Sequence, residues 1–172
     1  MDPLIRSGQR APGFSLPDLD GVVHRVASAR GRVLVIDFWS SECPWSKRAQ
    51  DEIGRLVQGW GDRVAVWYVA SNANESPEAR RAVAPRGPGQ ILLLDEGQAV
   101  ADTFGARTTP HLFVIDGDGL LRYQGALDDV TFRQKAPTRS YLSEAVEALL
   151  HGGEPDPAET PAYGCAIIRS AG

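Results

Sequence analysis

The chain has 172 residues, of which 18 are Lys or Arg and 22 Asp or Glu, giving a formal charge of −4. That length suits one domain with a sizeable core, and the mild acidity excludes a general nucleic-acid binder, which needs a concentrated basic surface. No apolar run approaches the ~18 residues of a membrane-spanning helix, and the short basic run Arg80, Arg81 and Arg86 reads as a solvated face, with phosphate contact as the alternative.

The N-terminal stretch MDPLIRSGQRAPGF lacks the apolar segment of a secretory leader, which predicts a cytoplasmic location unless a leader precedes the chain. Next, DLDG between Phe14–Leu16 and Val22–Val26 predicts a small hairpin. Val33–Trp39, VLVIDFW, is a continuous apolar run and predicts a strand buried on both faces. From Pro44 the period changes: Ala49, Ile53, Leu56 and Val57 fall at helical spacing, with Trp60 beyond and Gly59 and Gly61 as stops. Val64–Ala70 is a second core strand. Ser76 caps a helix over 77–84, with Glu75 and Glu78 near its positive end.

Ile91–Leu94 is a third strand, followed by a short helix over Gln98–Phe104 that ends at Gly105. HLFVID (111–116) and LLRYQG (120–125), joined by GDG, predict an antiparallel hairpin at the sheet edge. Arg139–Leu150 forms the last helix, with Leu142, Ala145, Val146, Leu149 and Leu150 as its stripe. This order predicts an α/β fold, a mixed sheet with helices on both faces, over residues 1–152. Residues 153–172 form a Pro-rich tail that ends in YGCAII and packs back on the domain.

Two cysteines, Cys43 and Cys165, exclude a disulfide scaffold; they are a reactive pair, one reactive thiol, or two inert ones. Cys43 follows the buried strand and falls at the N-cap of the next helix. There the free backbone N–H groups and the helix dipole favour a thiolate, and Lys47 adds positive field. Glu42 opposes it by like charge. Asp37, inside the strand, is either a satisfied structural acid or a proton acceptor for thiol exchange, its pKa raised by burial.

Three stretches carry a family resemblance. APGFSLPDLDG, VIDFWSSECPWS and TTPHLFVIDGDGLLRYQG, in that order, resemble the redoxin branch of the thioredoxin superfamily. That branch includes the thiol-specific antioxidant proteins and the membrane-anchored thiol–disulfide oxidoreductases. The resemblance covers Arg10 to Leu150 and implies a thioredoxin-like fold. It makes Pro110 the family's cis proline, whose loop lies against the reactive cysteine, and Thr109 the residue whose backbone receives a substrate peptide. His111 is a half-buried strand residue or, alternatively, a catalytic imidazole. Trp45, in the first helical turn, would shape an apolar surface for a protein partner.

The chain departs from the family at the second active-site position, which is Ser46. A hydroxyl can hydrogen-bond to the thiolate but cannot expel a substrate by forming a disulfide. Ser40 fills the position that peroxidases of the family occupy with Ser or Thr three residues before the reactive cysteine. The proline they carry seven residues before is replaced by Ile36, and Arg107 and Arg122 are the candidates for a peroxide-stabilising arginine. The tail resembles a subgroup that pairs a CPxS site with a GCxI ending. This implies that Cys165 is a resolving thiol for Cys43, with Gly164 allowing close approach; the alternative is that YGCAII only anchors the tail.

The resulting expectation is a thiol–disulfide oxidoreductase acting through Cys43, with a thiol or disulfide protein partner and an external dithiol reductant. Two other classes remain: a peroxiredoxin-like peroxidase acting on peroxides, and a non-catalytic binding module or metallochaperone, for which Cu(I) would need a second thiolate. No organic cofactor is expected, because the glycines at 117 and 119 belong to a hairpin. His24, His111 and His151 lack metal-ligand spacing, so no metal is expected either.

Overall fold

A computed structural model describes residues 5–171. The chain opens with a hairpin of β1 (Ser15–Pro17) and β2 (Val23–Arg25) and a 3₁₀ turn (Val26–Ala29). It continues through β3 (Val33–Trp39), α1 (Pro44–Trp60), β4 (Val64–Ala70), α2 (Pro77–Val83), β5 (Gln90–Leu94) and α3 (Ala99–Phe104). Then come β6 (Thr108–Thr109), β7 (Leu112–Ile115), β8 (Leu121–Gly125), α4 (Tyr141–Leu150) and β9 (Cys165–Ala166). The main sheet has the order β5-β4-β3-β7-β8, with β3, β4 and β5 parallel and β7 and β8 antiparallel. This is the mixed, helix-flanked arrangement of the thioredoxin-like fold.

Strand β3 lies at the centre because every one of its residues is apolar or tolerates burial, so both its faces can be covered. Its alternate residues sort into two cores. Leu34, Ile36 and Phe38 face Trp67, Phe104 and Phe113 under α3 and the N-terminal hairpin. Val33, Val35 and Trp39 face Ala49, Ile53 and Trp60 of α1 and Leu142 and Val146 of α4. Phe38, Phe104 and Phe113 meet one another at ring separations of 5.1 to 5.9 Å. Removing Phe104 from this cluster would cost about 3–5 kcal/mol. The parallel strands β3 and β4 end side by side, at Trp39 and Ala70, and the loops that follow them, with the turn before β7, build the site.

Three local expectations are corrected. Arg80 is not on a solvated face: it is buried, bonded to the carbonyl of Asn72 and paired with Glu96. Helix α4 starts two residues late, because the Asp129 carboxylate accepts the backbone N–H groups of Thr138 and Arg139 and holds them outside the helix. Glu75 does not serve the positive end of α2. Ser76 alone caps that helix, accepting from the N–H of Ala79, while Glu75 turns inward. A fourth feature was not expected: the two-residue strands β6 and β9 form a separate antiparallel ladder that sews the tail to the domain.

Candidate functional site

Cys43 is the N-cap of α1, in extended conformation, with Pro44 as the first helical residue. The expected geometry for a helix-end sulfur is therefore present. Cys43 is only 5% exposed. Its Sγ lies 3.1 Å from the carbonyl oxygen of Thr109. Lys47 does not add free positive field, because its Nζ pairs with Asp51 at 2.6 Å on the outer face of α1.

The sulfur is joined to Cys165 in a disulfide, with the two Cα atoms 6.2 Å apart. Cys165 reaches it because the tail pairs with the loop before Pro110, Cys165 opposite Thr109 and Ala166 opposite Thr108. The Thr109–Pro110 peptide bond is cis. Gly164 passes directly over it: a Cβ there would lie 2.2 Å from the Thr109 carbonyl oxygen. Beyond the ladder, Ile167 donates its N–H to the Arg107 carbonyl. Ile168 accepts from the N–H of Ala73 and donates to Asn72 Oδ1. Upstream, the Tyr163 ring stands edge-on to Trp45, with centroids 4.9 Å apart. The tail thus crosses the carboxyl end of the sheet from the proline loop to the loop after β4.

The remaining candidates divide. Ser46 is fully buried, and its Oγ accepts from the N–H of Ser40. Ser40 Oγ donates to Glu75 at 2.6 Å. Glu75 also accepts from the backbone N–H of Ser41 (2.8 Å), its hydroxyl (2.6 Å) and Asn72 Nδ2 (2.6 Å). Burial raises the Glu75 pKa, but these bonds outweigh it and the net effect is a lowered value. One buried carboxylate therefore holds the turn before Cys43 and, through Asn72, touches the tail. Asn72 was not singled out from the sequence, and Glu75 was read only as a charge near the positive end of α2. The usable signal was their place in the loop at the carboxyl end of a core strand, where ligand-binding groups gather in open sheets.

Asp37 lies opposite Tyr68 on β4 and Leu112 on β7. It is completely buried, and neither carboxylate oxygen has a hydrogen-bond partner. Burial raises its pKa well above the ordinary value. His111 is buried with its ring stacked on Phe113, its Nδ1 accepting from the N–H of Arg107. Burial, reinforced by Arg107, lowers its pKa to about 4, so it stays neutral near pH 7.

A cleft of about 170 Å³ opens beside Cys43, lined by Trp39, Ser40, Ser41, Glu42, Lys47 and Gln50 among others. Of the two arginine candidates, Arg122 pairs with Asp116 and Glu154, and Arg107 lines a different cavity with His111. Among the described residues, no cluster of three or more His, Cys, Asp or Glu side chains could hold a metal ion. No helix among them is long and apolar enough to cross a membrane.

The profile of the AhpC/TSA family matches residues 7–124, from before the N-terminal hairpin to β8. The chain belongs to the AhpC/TSA family. A relative similar to it, the thiol-disulfide oxidoreductase ResA of Halalkalibacterium halodurans, is 30% identical over 118 residues, 67% of this chain and 66% of that protein. The chain thus spans just under two thirds of that relative's length. An uncharacterised conserved protein of Geobacillus kaustophilus, solved by crystallography, superposes with a TM-score of 0.86 at 30% identity. That likeness covers 98% of this chain and 95% of the other, so it includes the tail, which lies beyond the AhpC/TSA match. The pneumococcal exposed lipoprotein thioredoxin of Streptococcus pneumoniae shares the fold at 24% identity and a TM-score of 0.53, over 66% of this chain and 87% of that one.

The cytoplasmic expectation is overturned: the similar proteins ResA and the pneumococcal exposed lipoprotein thioredoxin are exported. The composition of the N-terminal stretch was a poor guide to location. A disulfide is also the form such a cysteine pair holds in an oxidising compartment.

Proposed function

We propose that this chain is a thiol–disulfide oxidoreductase in which Cys43 is the nucleophile and Cys165, on the tail of residues 153–172, resolves it. The observation that carries this reading is the disulfide between a helix N-cap cysteine and a tail cysteine laid against the proline loop. The name of the ResA relative points the same way.

The cycle balances as follows. The Cys43 thiolate attacks a disulfide of a protein partner; a Cys43–partner bond forms, the partner's S–S bond breaks, and its other sulfur leaves as thiolate. The Cys165 thiolate then attacks Cys43 Sγ, which closes the Cys43–Cys165 bond and releases the partner as a dithiol. An external dithiol reductant reopens the pair. Thr109 and Pro110 carry the backbone that aligns the incoming sulfur, and Trp45 supplies the apolar margin of the surface. Ser46, in place of a second active-site cysteine, positions the turn at Ser40 and leaves resolution to the tail. Asp37 serves as the buried proton acceptor. The pairing of CPWS with GCAII supports membership of a redoxin subgroup that carries both motifs.

The second reading, reduction of a peroxide, rests on the family match and on the small cleft beside Cys43. Against it, no arginine lines that cleft, and Ser40 is committed to Glu75. Turnover of oxidised glutathione with a dithiol reductant tests the first reading. Wild type should turn over, Cys43→Ser should be inactive, and Cys165→Ser should stop with glutathione bound to Cys43. Unchanged turnover in Cys165→Ser would remove the resolving role. Stopped-flow mixing with hydrogen peroxide separates the readings: a rate no faster than that of a free thiolate excludes the peroxidase.

A further inference from the structure

Resting on Cys43 as the nucleophile, we infer that the proline loop selects its target by the residue preceding the target cysteine, which must be glycine. We infer also that the chain's own segment 164–168 is a resident occupant that a partner peptide has to displace.

The selection follows from the close approach at Gly164. A Cβ at this position would lie 2.2 Å from the Thr109 oxygen, 2.7 Å from its carbonyl carbon and 3.0 Å from Pro110 Cδ. Two of these are backbone atoms and the third belongs to a proline ring, so none can swing aside as a flexible side chain would. Gly164 is not among the glycines with positive φ, so its backbone conformation is open to other residues and the requirement is one of space alone. Any peptide that brings its cysteine to the position of Cys165 along this ladder meets the same carbonyl.

The rest of the segment defines the other preferences. Ala166 is exposed and imposes nothing. Ile167 is 8% exposed and joins the apolar cluster that contains Phe104 and Ala106, which favours a branched apolar residue two positions after the cysteine. The remaining contacts run through backbone: Ile167 N–H to Arg107, and Ile168 to Ala73 and Asn72. A groove that holds its occupant through backbone bonds, one glycine and one apolar pocket fits an extended peptide, Gly-Cys-any-Ile or Val, and not a small molecule. In the step itself, Cys43 Sγ bonds to the peptide's cysteine sulfur, the peptide's original S–S bond breaks, and its electron pair leaves on the other sulfur. While the tail is docked, Cys43 is 5% exposed and a peptide cannot reach it along this ladder.

The test uses the full chain carrying Cys165→Ser, so that a mixed disulfide accumulates on Cys43. The probes are the peptide PAYGCAII, its cysteine activated as the thionitrobenzoate mixed disulfide, and the same peptide with alanine replacing glycine. Release of thionitrobenzoate gives the rate. The glycine peptide should react about tenfold or more faster, a modest effect for overpacking against a rigid backbone. Adding Ile167→Asp, which loosens the tail, should speed the glycine peptide further. Equal rates for the two peptides would overturn the selection. No acceleration by Ile167→Asp would overturn the resident-occupant claim. The small reagent DTNB separates these failures from that of the underlying reading: if Cys43 ignores DTNB as well as both peptides, the nucleophile assignment falls, and this inference with it.

Discussion

Reducing the Cys43–Cys165 bond removes a crosslink between residues 122 positions apart, and the cost can be worked from that separation. A loop of this length restricts the unfolded chain by an entropy of about 16 cal/mol/K, or about 5 kcal/mol at 25 °C in the chain-entropy treatment. A 172-residue chain unfolds with an entropy near 0.36 kcal/mol/K, so this corresponds to a fall in Tm of about 14 °C. The folded side changes less, because Ile167 and the hydrogen bonds to Arg107, Ala73 and Asn72 still hold the reduced tail. Urea unfolding of oxidised protein, of the same protein in reductant, and of Cys165→Ser gives the answer. Reduced wild type and Cys165→Ser should agree within about 1 kcal/mol, and the oxidised form should show the smaller m-value because its unfolded state is crosslinked. If the reduced and oxidised forms had the same Tm and m-value, the two cysteines would not be bonded in solution, and the reasoning would fail at its first step.

Other perturbations test the buried charges. The Asp37 pKa is raised by burial above the usual 3.8, so above about pH 4 the folded state keeps a proton that the unfolded state has lost. Stability therefore falls as pH rises towards the folded pKa, by up to about 1.4 kcal/mol per pH unit. Asp37→Asn should gain on wild type over that window in urea titrations at successive pH values; parallel curves would refute it. His111 has the opposite sign: its pKa is lowered from 6.5 to about 4. Stability is lost as pH falls between those values, by about 3 kcal/mol in all, and His111→Asn should flatten that limb. Glu75→Ala leaves Ser40, Ser41 and Asn72 without their buried acceptor. It should cost about 2–4 kcal/mol, and Glu75→Gln less; urea midpoints indistinguishable from wild type would show the network to be incidental.

Much of the fold was legible because its core elements announce themselves by period. VLVIDFW and the spacing of Ala49, Ile53 and Trp60 leave little choice for β3 and α1, and the order of elements follows from them. The cysteine at the helix start was equally plain, since Pro44 fixes where the helix begins. What the sequence hid was pairing between distant short pieces. Thr108–Thr109 and Cys165–Ala166 are two-residue strands with no period to detect, and only the docked tail shows that they meet. Glu75 was assigned to the wrong neighbour for a related reason. It sits one residue before a helix cap, where a local electrostatic role is available, but the turn at Ser40 and Ser41 offers it stronger bonds. Arg80 likewise looked like part of a basic surface run until the Asn72 carbonyl drew it inward.

The central claim is that the first bond to a partner forms on Cys43 and the last on Cys165. Quenched-flow mixing of reduced wild-type protein with one equivalent of a disulfide substrate, followed by mass mapping of acid-trapped intermediates, tests it directly. The account predicts a mixed disulfide on Cys43 at early times that converts to the Cys43–Cys165 bond with release of the second thiol. A mixed disulfide that appears first on Cys165, or one on Cys43 that persists without closing, would contradict it.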